Sequence, residues 1–405
     1  MTPEQPVQAA IYAAMDRIQR EYTRLLESHS CVSLLGSFNS DELRLESYCQ
    51  DYRPHPQTAE LVRSSIGFGR SAGILLPNAE HYLTCALYLF PDATPEKILL
   101  IARNYAVDFY LNDTMGREYR STSGERQRLN EIRARLTERT DWPTTMPSAG
   151  GPAKTVAAAD QAAGPATPAE RAHLEVLTEL ANSSPASWFE PFLALYLKHL
   201  SVAHKSYDCL SLGTIPRIEE YIAIRADISG MPHTVSMVEY SQGNYLDWPL
   251  LQQIGLAGEL RELGTTVSLI GALMNDLFSF EKEVIDNRSD SNLLAIIVLN
   301  NFRMELREAM SVGTAIVRNL LADYARGAAN LLAKIERLPA GPVLAPESGG
   351  RHEDATPDLR AGLLRYMEGI RKCVQTCWLW QVDTQRYKRP RSIWKETSLS
   401  GPVAV

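Results

Sequence analysis

The chain has 405 residues, 45% of them apolar and 22% charged, and a net charge of −7. That is ordinary globular composition with enough apolar material for one large core or two modest ones. The acidic balance argues against a general nucleic-acid-binding surface, and without a run of about 18 apolar residues no membrane span is expected.

In chain order, the N-terminus MTPEQPVQAAIYAAMDRIQREY lacks a basic start leading into an apolar core, so no secretion signal is expected. Val7 to Ser28 reads as an amphipathic helix, followed by Ala59 to Gly73 and Ala79 to Phe90. The stretch PDATPEKILLIARNYAVDFYLND predicts a helix capped by Thr94, with Pro95 as its first residue, running to Asp113. Helical spacing then continues over Ser187–Leu200, Ile215–Ser229, Met231–Gln242, Gln252–Val284, Ser291–Tyr324 and Leu359–Gln381. Period-two runs are missing, so the chain reads as all-α with about ten to twelve helices. Two segments rich in Ala, Pro and Gly, 140–170 and 338–358, predict disordered insertions. Neither is read as a domain boundary, and residues 1–405 are taken as a single domain. The six cysteines, Cys31, Cys49, Cys85, Cys209, Cys373 and Cys377, are scattered. They read as buried thiols of a cytoplasmic protein.

The residues that could carry chemistry stand out against this apolar background. Within VSLIGALMNDLFSFEKEVI, an amide, a hydroxyl and a carboxylate recur every four residues at Asn275, Ser279 and Glu283. Steps of four drift by only about 40° around a helix, so the three form one polar stripe. These are hard oxygen donors, suited to Mg²⁺ completed by substrate phosphate. A capped helix end or a solvent-facing stripe is the competing reading, weakened by the apolar residues on most other sides. Asp113 and Glu118 bracket a helix end expected at Gly116. Arg225 precedes a Gly-containing break, RADISG, and Arg386–Tyr387 follow the last long helix in QRYKRP. Arginines so placed suit forked phosphate recognition, although a cap or a basic tail would explain each alone.

Together these residues resemble the class I terpene synthases of the microbial type. NDLFSFEKE is similar to the family's NDxxSxxxE motif at Asn275, Asp276, Ser279 and Glu283, with Lys282 before the last glutamate. DTMGRE is similar to its DDxxxE motif at Asp113 and Glu118, with Thr114 replacing the second aspartate. Arg225 falls where the family places a diphosphate-sensing arginine, and Arg386–Tyr387 resemble its C-terminal RY pair. The resemblance implies one helical bundle around an apolar cavity, three Mg²⁺ ions and a prenyl diphosphate substrate. It implies metal binding by Asp113, Glu118, Asn275, Ser279 and Glu283, and diphosphate binding by Arg225, Lys282, Arg386 and Tyr387. Gly230 resembles the effector segment that turns a backbone carbonyl into the cavity. Tyr105, Phe109, Phe278, Trp378 and Trp380 are candidate aromatic faces for a carbocation, with core packing as their other reading. Farnesyl diphosphate is favoured over geranylgeranyl diphosphate, and the protein is expected to be a monomer or homodimer. The alternatives are a prenyl-chain-elongating synthase, which would want two DDxxD motifs, and a non-catalytic helical binding protein derived from a synthase.

Overall fold

The computed structural model describes residues 4–77, 80–115, 127, 131, 134–136, 167–203, 207–339 and 358–399. Among them the regular structure is helical, with two isolated bridges and no strand. The chain divides into two compact units, Met1–Tyr52 with Ser206–Val405, and Arg53–Lys205.

The first unit begins with α1 (Glu4–Glu27), α2 (Leu34–Phe38) and α3 (Leu45–Tyr48). The second unit holds α4 (Thr58–Ser71), α5 (Glu80–Leu89), α6 (Pro95–Met115), α7 (Pro168–Asn182) and α8 (Ala186–Val202). The first resumes with α9 (Cys209–Leu212), α10 (Ile218–Ser229), α11 (Met231–Gln242), α12 (Trp248–Gln253), α13 (Ala257–Phe280), α14 (Leu293–Asn300), α15 (Leu306–Ile335) and α16 (Leu359–Asp383).

In the first unit α13 is the central helix, packed by α10, α11, α15 and α16. Its buried face runs through Leu260, Leu263, Val267, Ile270, Met274 and Leu277, the i, i+3/i+4 spacing of a core helix. By length and composition Ala257–Asp286 could cross a membrane, but 72% of its most apolar window is buried inside the protein. Gly271 permits close packing: a Cβ there would lie 2.5 Å from Cε of Met231 on α11.

Several expectations are corrected. The predicted Gln252–Val284 helix is three elements. Trp248–Gln253 forms α12, Gly255 turns the chain at φ +78°, and the α-helix gives way after Phe280 to a π-helix, Glu281–Asp286. The predicted Ser291–Tyr324 helix is split between α14 and α15, because Asn301 leaves helical geometry and Glu305 starts a new capping box with Glu308. Helix α7 lacked a prediction, and its first residues fall inside the expected 140–170 insertion. Thr167 and Glu170 form a reciprocal capping box around Pro168 that sets its start. The rest of that segment lies outside the described residues, as does most of 338–358, whose last residue, Asp358, caps α16 by accepting from Ala361 N. Of the cysteines, all free, Cys31 is exposed and Cys85 half-buried, against the expectation of six buried thiols.

Candidate active site

Asn275, Ser279 and Glu283 come from the C-terminal end of α13 and the π-helix that continues it. Asn275 and Ser279 keep the α step. Glu283 does not, because the π turn closes i→i+5 bonds and so redirects the last donor. The stripe is therefore bent at its carboxylate end.

Asn275 is a junction. Its amide nitrogen donates to the Tyr387 hydroxyl at 2.8 Å and to Gln381 Oε1 at 3.2 Å. Its oxygen accepts from Arg225 Nη2 at 3.1 Å. Glu283 accepts from Asn292 Nδ2 at 3.1 Å. The Ser279 hydroxyl is buried and has no hydrogen-bond partner among the described residues. Nearly all buried polar side chains have one, so an orphan hydroxyl needs an explanation. The donor set fits a hard cation on this observation: Ser279 has its oxygen unused, and the Asn275 amide oxygen and Glu283 carboxylate keep lone pairs after the bonds they accept. Among the described residues no three His, Cys, Asp or Glu side chains gather as a metal-binding group. Any metal held here would rest on mixed amide, hydroxyl and carboxylate oxygens.

Arg225 on α10 is only 2% exposed. Its Nε donates to Asp276 Oδ1 at 2.6 Å. Asp276 is fully buried and accepts from the Tyr221 hydroxyl at 2.6 Å and from Leu293 N at 2.9 Å. Burial works against the Arg225 charge, but the nearby Asp276, Tyr221 and Glu283 more than offset it, so the guanidinium is held firmly protonated. Asn292 ties the same knot from below: its amide also donates to Asp276 O at 2.8 Å, while its oxygen caps α14.

Four residues of this network, Asp276, Tyr221, Asn292 and Gln381, carried no assigned role in the sequence. Tyr221 had a signal, being four residues before Arg225 and so on the same helix face. Asn292, just before an apolar run, had the signature of an N-cap. Nothing local pointed to Gln381.

The structure joins Asn275, Arg225 and Tyr387 directly, and Glu283 through Asn292 and Asp276. Lys282 and Arg386 are half-buried next to these residues in the chain. Asp113 falls in the last turn of α6, in the second unit, and Glu118 lies outside the described residues. Gly230 breaks α10 from α11 at φ +75°, a left-handed conformation that favours glycine. Its carbonyl accepts from Thr234 N at 3.1 Å, as a helix cap does.

Phe278 packs against Trp378, with ring centroids 5.7 Å apart, and against Tyr387 at 6.4 Å, and Trp380 meets the Tyr387 ring edge-on at 6.4 Å. In the second unit Tyr105 is buried, and Phe109 packs on the Leu83–Ala106 cluster.

A sequence profile described as "Terpene synthase family 2, C-terminal metal binding" matches residues 106–323, more than half of the chain. The chain belongs to this terpene synthase family. It is therefore a lyase, and the matched span takes in Asp113 and Glu118 as well as Asn275, Ser279 and Glu283. Among similar terpene synthases, the 10-epi-cubebol synthase of Sorangium cellulosum (strain So ce56) is 23% identical over 344 residues, 83% of this chain and 95% of that enzyme. Sesquiterpene synthase 1 of Postia placenta is 24% identical over 176 residues, 43% of this chain and 44% of that enzyme. The fold is similar to germacradien-4-ol synthase from Streptomyces citricolor, with a TM-score of 0.61 at 16% identity, covering 86% of this chain and 99% of that one.

Proposed function

We propose that this terpene synthase is a class I cyclase that ionises a linear prenyl diphosphate, farnesyl diphosphate (C15) foremost, and closes the carbocation into a cyclic hydrocarbon or alcohol with release of diphosphate. The observation that carries this reading is the buried Ser279 hydroxyl, without a hydrogen-bond partner among the described residues, on the same helix end as Asn275 and Glu283. The sesquiterpene synthase similar to this chain supports the C15 choice.

Asn275, Ser279 and Glu283 would hold one Mg²⁺, and the motif resemblance supports Asp113 and Glu118 for two more. Bound metal would neutralise charge growing on the leaving diphosphate. Arg225, Lys282, Arg386 and Tyr387 are assigned to diphosphate oxygens. The Asp276 carboxylate, itself accepting from the Tyr221 hydroxyl, holds the Arg225 fork in place, so that little reorganisation is needed when negative charge arrives. Aromatic faces near a carbocation attract it by about 2 kcal/mol when desolvated. Phe278, Trp378 and Trp380 are the candidates in the first unit; the ring contacts of Phe278 and Trp380 with Tyr387, and of Trp378 with Phe278, also support a packing role. Tyr105 and Phe109 are the candidates on α6. Gly230 is assigned the effector position. Both compact units, residues 1–405, are assigned to one catalytic domain.

The test is to incubate the purified protein and Mg²⁺ with C10, C15, C20 and C25 prenyl diphosphates separately and to analyse hexane extracts by gas chromatography with mass spectrometry. A cyclic product from C15 is expected. Longer prenyl diphosphates formed only with isopentenyl diphosphate would instead indicate chain elongation.

A further inference from the structure

The π turn that carries Glu283 is gripped by both ends of the first unit's chain. Glu281 opens the turn and is only 2% exposed. Its carboxylate accepts from the Tyr22 hydroxyl of α1 at 2.9 Å, from the Ser392 hydroxyl at 2.6 Å and from Ile393 N at 3.2 Å. The Arg389 guanidinium stands 3.8 Å away and also pairs with Asp286 at the end of the turn. Gln19 of α1 donates its amide to the carbonyls of Val284 and Ile285, at 3.2 and 2.9 Å. A π turn displaces carbonyls from their ordinary helical partners, and Gln19 supplies a replacement donor. The segment that contributes Ser392, Ile393 and Arg389 is the one that carries Arg386 and Tyr387, and Tyr387 is bonded to Asn275.

Nothing in the mechanism above uses Glu281. A fully buried carboxylate is an expensive way to glue two segments, and apolar contact would hold them at least as well. What the carboxylate adds is direction, since three donors from two distant segments must converge on two oxygens. We propose that Glu281 is a positioning residue: it fixes the C-terminal segment on the π turn and so sets Arg386 and Tyr387 in register with Lys282 and Glu283 for the diphosphate. The inference rests on the proposed function, because it assigns a register only to groups given there to the diphosphate (Arg386, Tyr387, Lys282) or to its metal (Glu283).

Binding of inorganic pyrophosphate in the presence of Mg²⁺ tests it by calorimetry on the full chain, alongside thermal melting without pyrophosphate. The variants are Glu281→Gln, Glu281→Ala and Tyr22→Phe. Tyr22→Phe removes one of the three donors and keeps the ring, and Glu281→Gln keeps the shape and part of the acceptor set. Both are expected to weaken pyrophosphate binding about tenfold while melting as one cooperative transition, with KM for the prenyl diphosphate rising more than kcat falls. Among folded variants, Glu281→Gln should lie between wild type and Glu281→Ala. If Tyr22→Phe and Glu281→Gln both bind pyrophosphate within about twofold of wild type, Glu281 has no positioning role and the inference fails. Wild-type protein that binds no pyrophosphate with Mg²⁺ would instead overturn the proposed function, and this inference with it.

Discussion

Removing the Ser279 hydroxyl should cost the fold nothing. It is buried and has no partner among the described residues, so Ser279→Ala deletes a desolvated polar group and loses no hydrogen bond to them. Melting of the metal-free variant is expected to match or exceed that of wild type, and a drop of several degrees would mean the hydroxyl has a structural partner. Asp276 predicts the opposite. It is the acceptor for Arg225, Tyr221 and Leu293 N. Asp276→Ala strands a buried guanidinium and should destabilise the protein by about 3–5 kcal/mol, read by urea unfolding. A loss under about 1 kcal/mol would show that the pair is solvated as a surface ion pair is. At this scale the sequence was partly readable. Asn275, Ser279 and Glu283 were visible as oxygen donors inside an apolar run. The supporting partners were not, because Asp276 touches residues more than fifty positions away and nothing in its neighbours records that.

The elements show where periodicity stops being informative. Hydrophobic spacing identifies α13, but an apolar run does not distinguish an α turn from a π turn, so the bend at Glu281 was invisible. Helix α7 was hidden by the Ala-, Pro- and Gly-rich run before it, although Thr167-Pro168-Ala169-Glu170 held a complete start signal. The break at Asn301 was masked by apolar residues on both sides. The α11–α12 connection makes a prediction about pH. Glu239, buried on α11, accepts from Leu246 N at 2.8 Å and from Trp248 Nε1 at 3.1 Å. Burial pushes its carboxyl up to about 7 from 4.5, against those two hydrogen bonds. The folded protein therefore binds the Glu239 proton more tightly than the unfolded chain does. Its contribution to stability falls as pH rises from about 4.5 to about 7 and is level above that. Glu239→Gln should flatten this part of the melting-temperature profile and raise stability at pH 8 relative to wild type. An unchanged slope between pH 5 and pH 7 would mean that Glu239 titrates normally.

For the molecule as a whole, the all-helical class was legible from helical periodicity, and the terpene synthase family from the order of motifs spread from Asp113 to Tyr387. A division of the helices into two compact units was not legible. It depends on contacts between α1–α3 and the helices after Ser206, which lie far apart in sequence. The proposed function requires above all that Asn275, Ser279 and Glu283 hold a metal that the reaction needs. The direct measurement is diphosphate release from farnesyl diphosphate, followed across a Mg²⁺ titration for wild type and Ser279→Ala, with a chelator control. Saturable, Mg²⁺-dependent release is expected in wild type, abolished by the chelator, with a midpoint shifted to higher Mg²⁺ in Ser279→Ala. Release that persists in chelator, or a midpoint that is the same in both proteins, would contradict it.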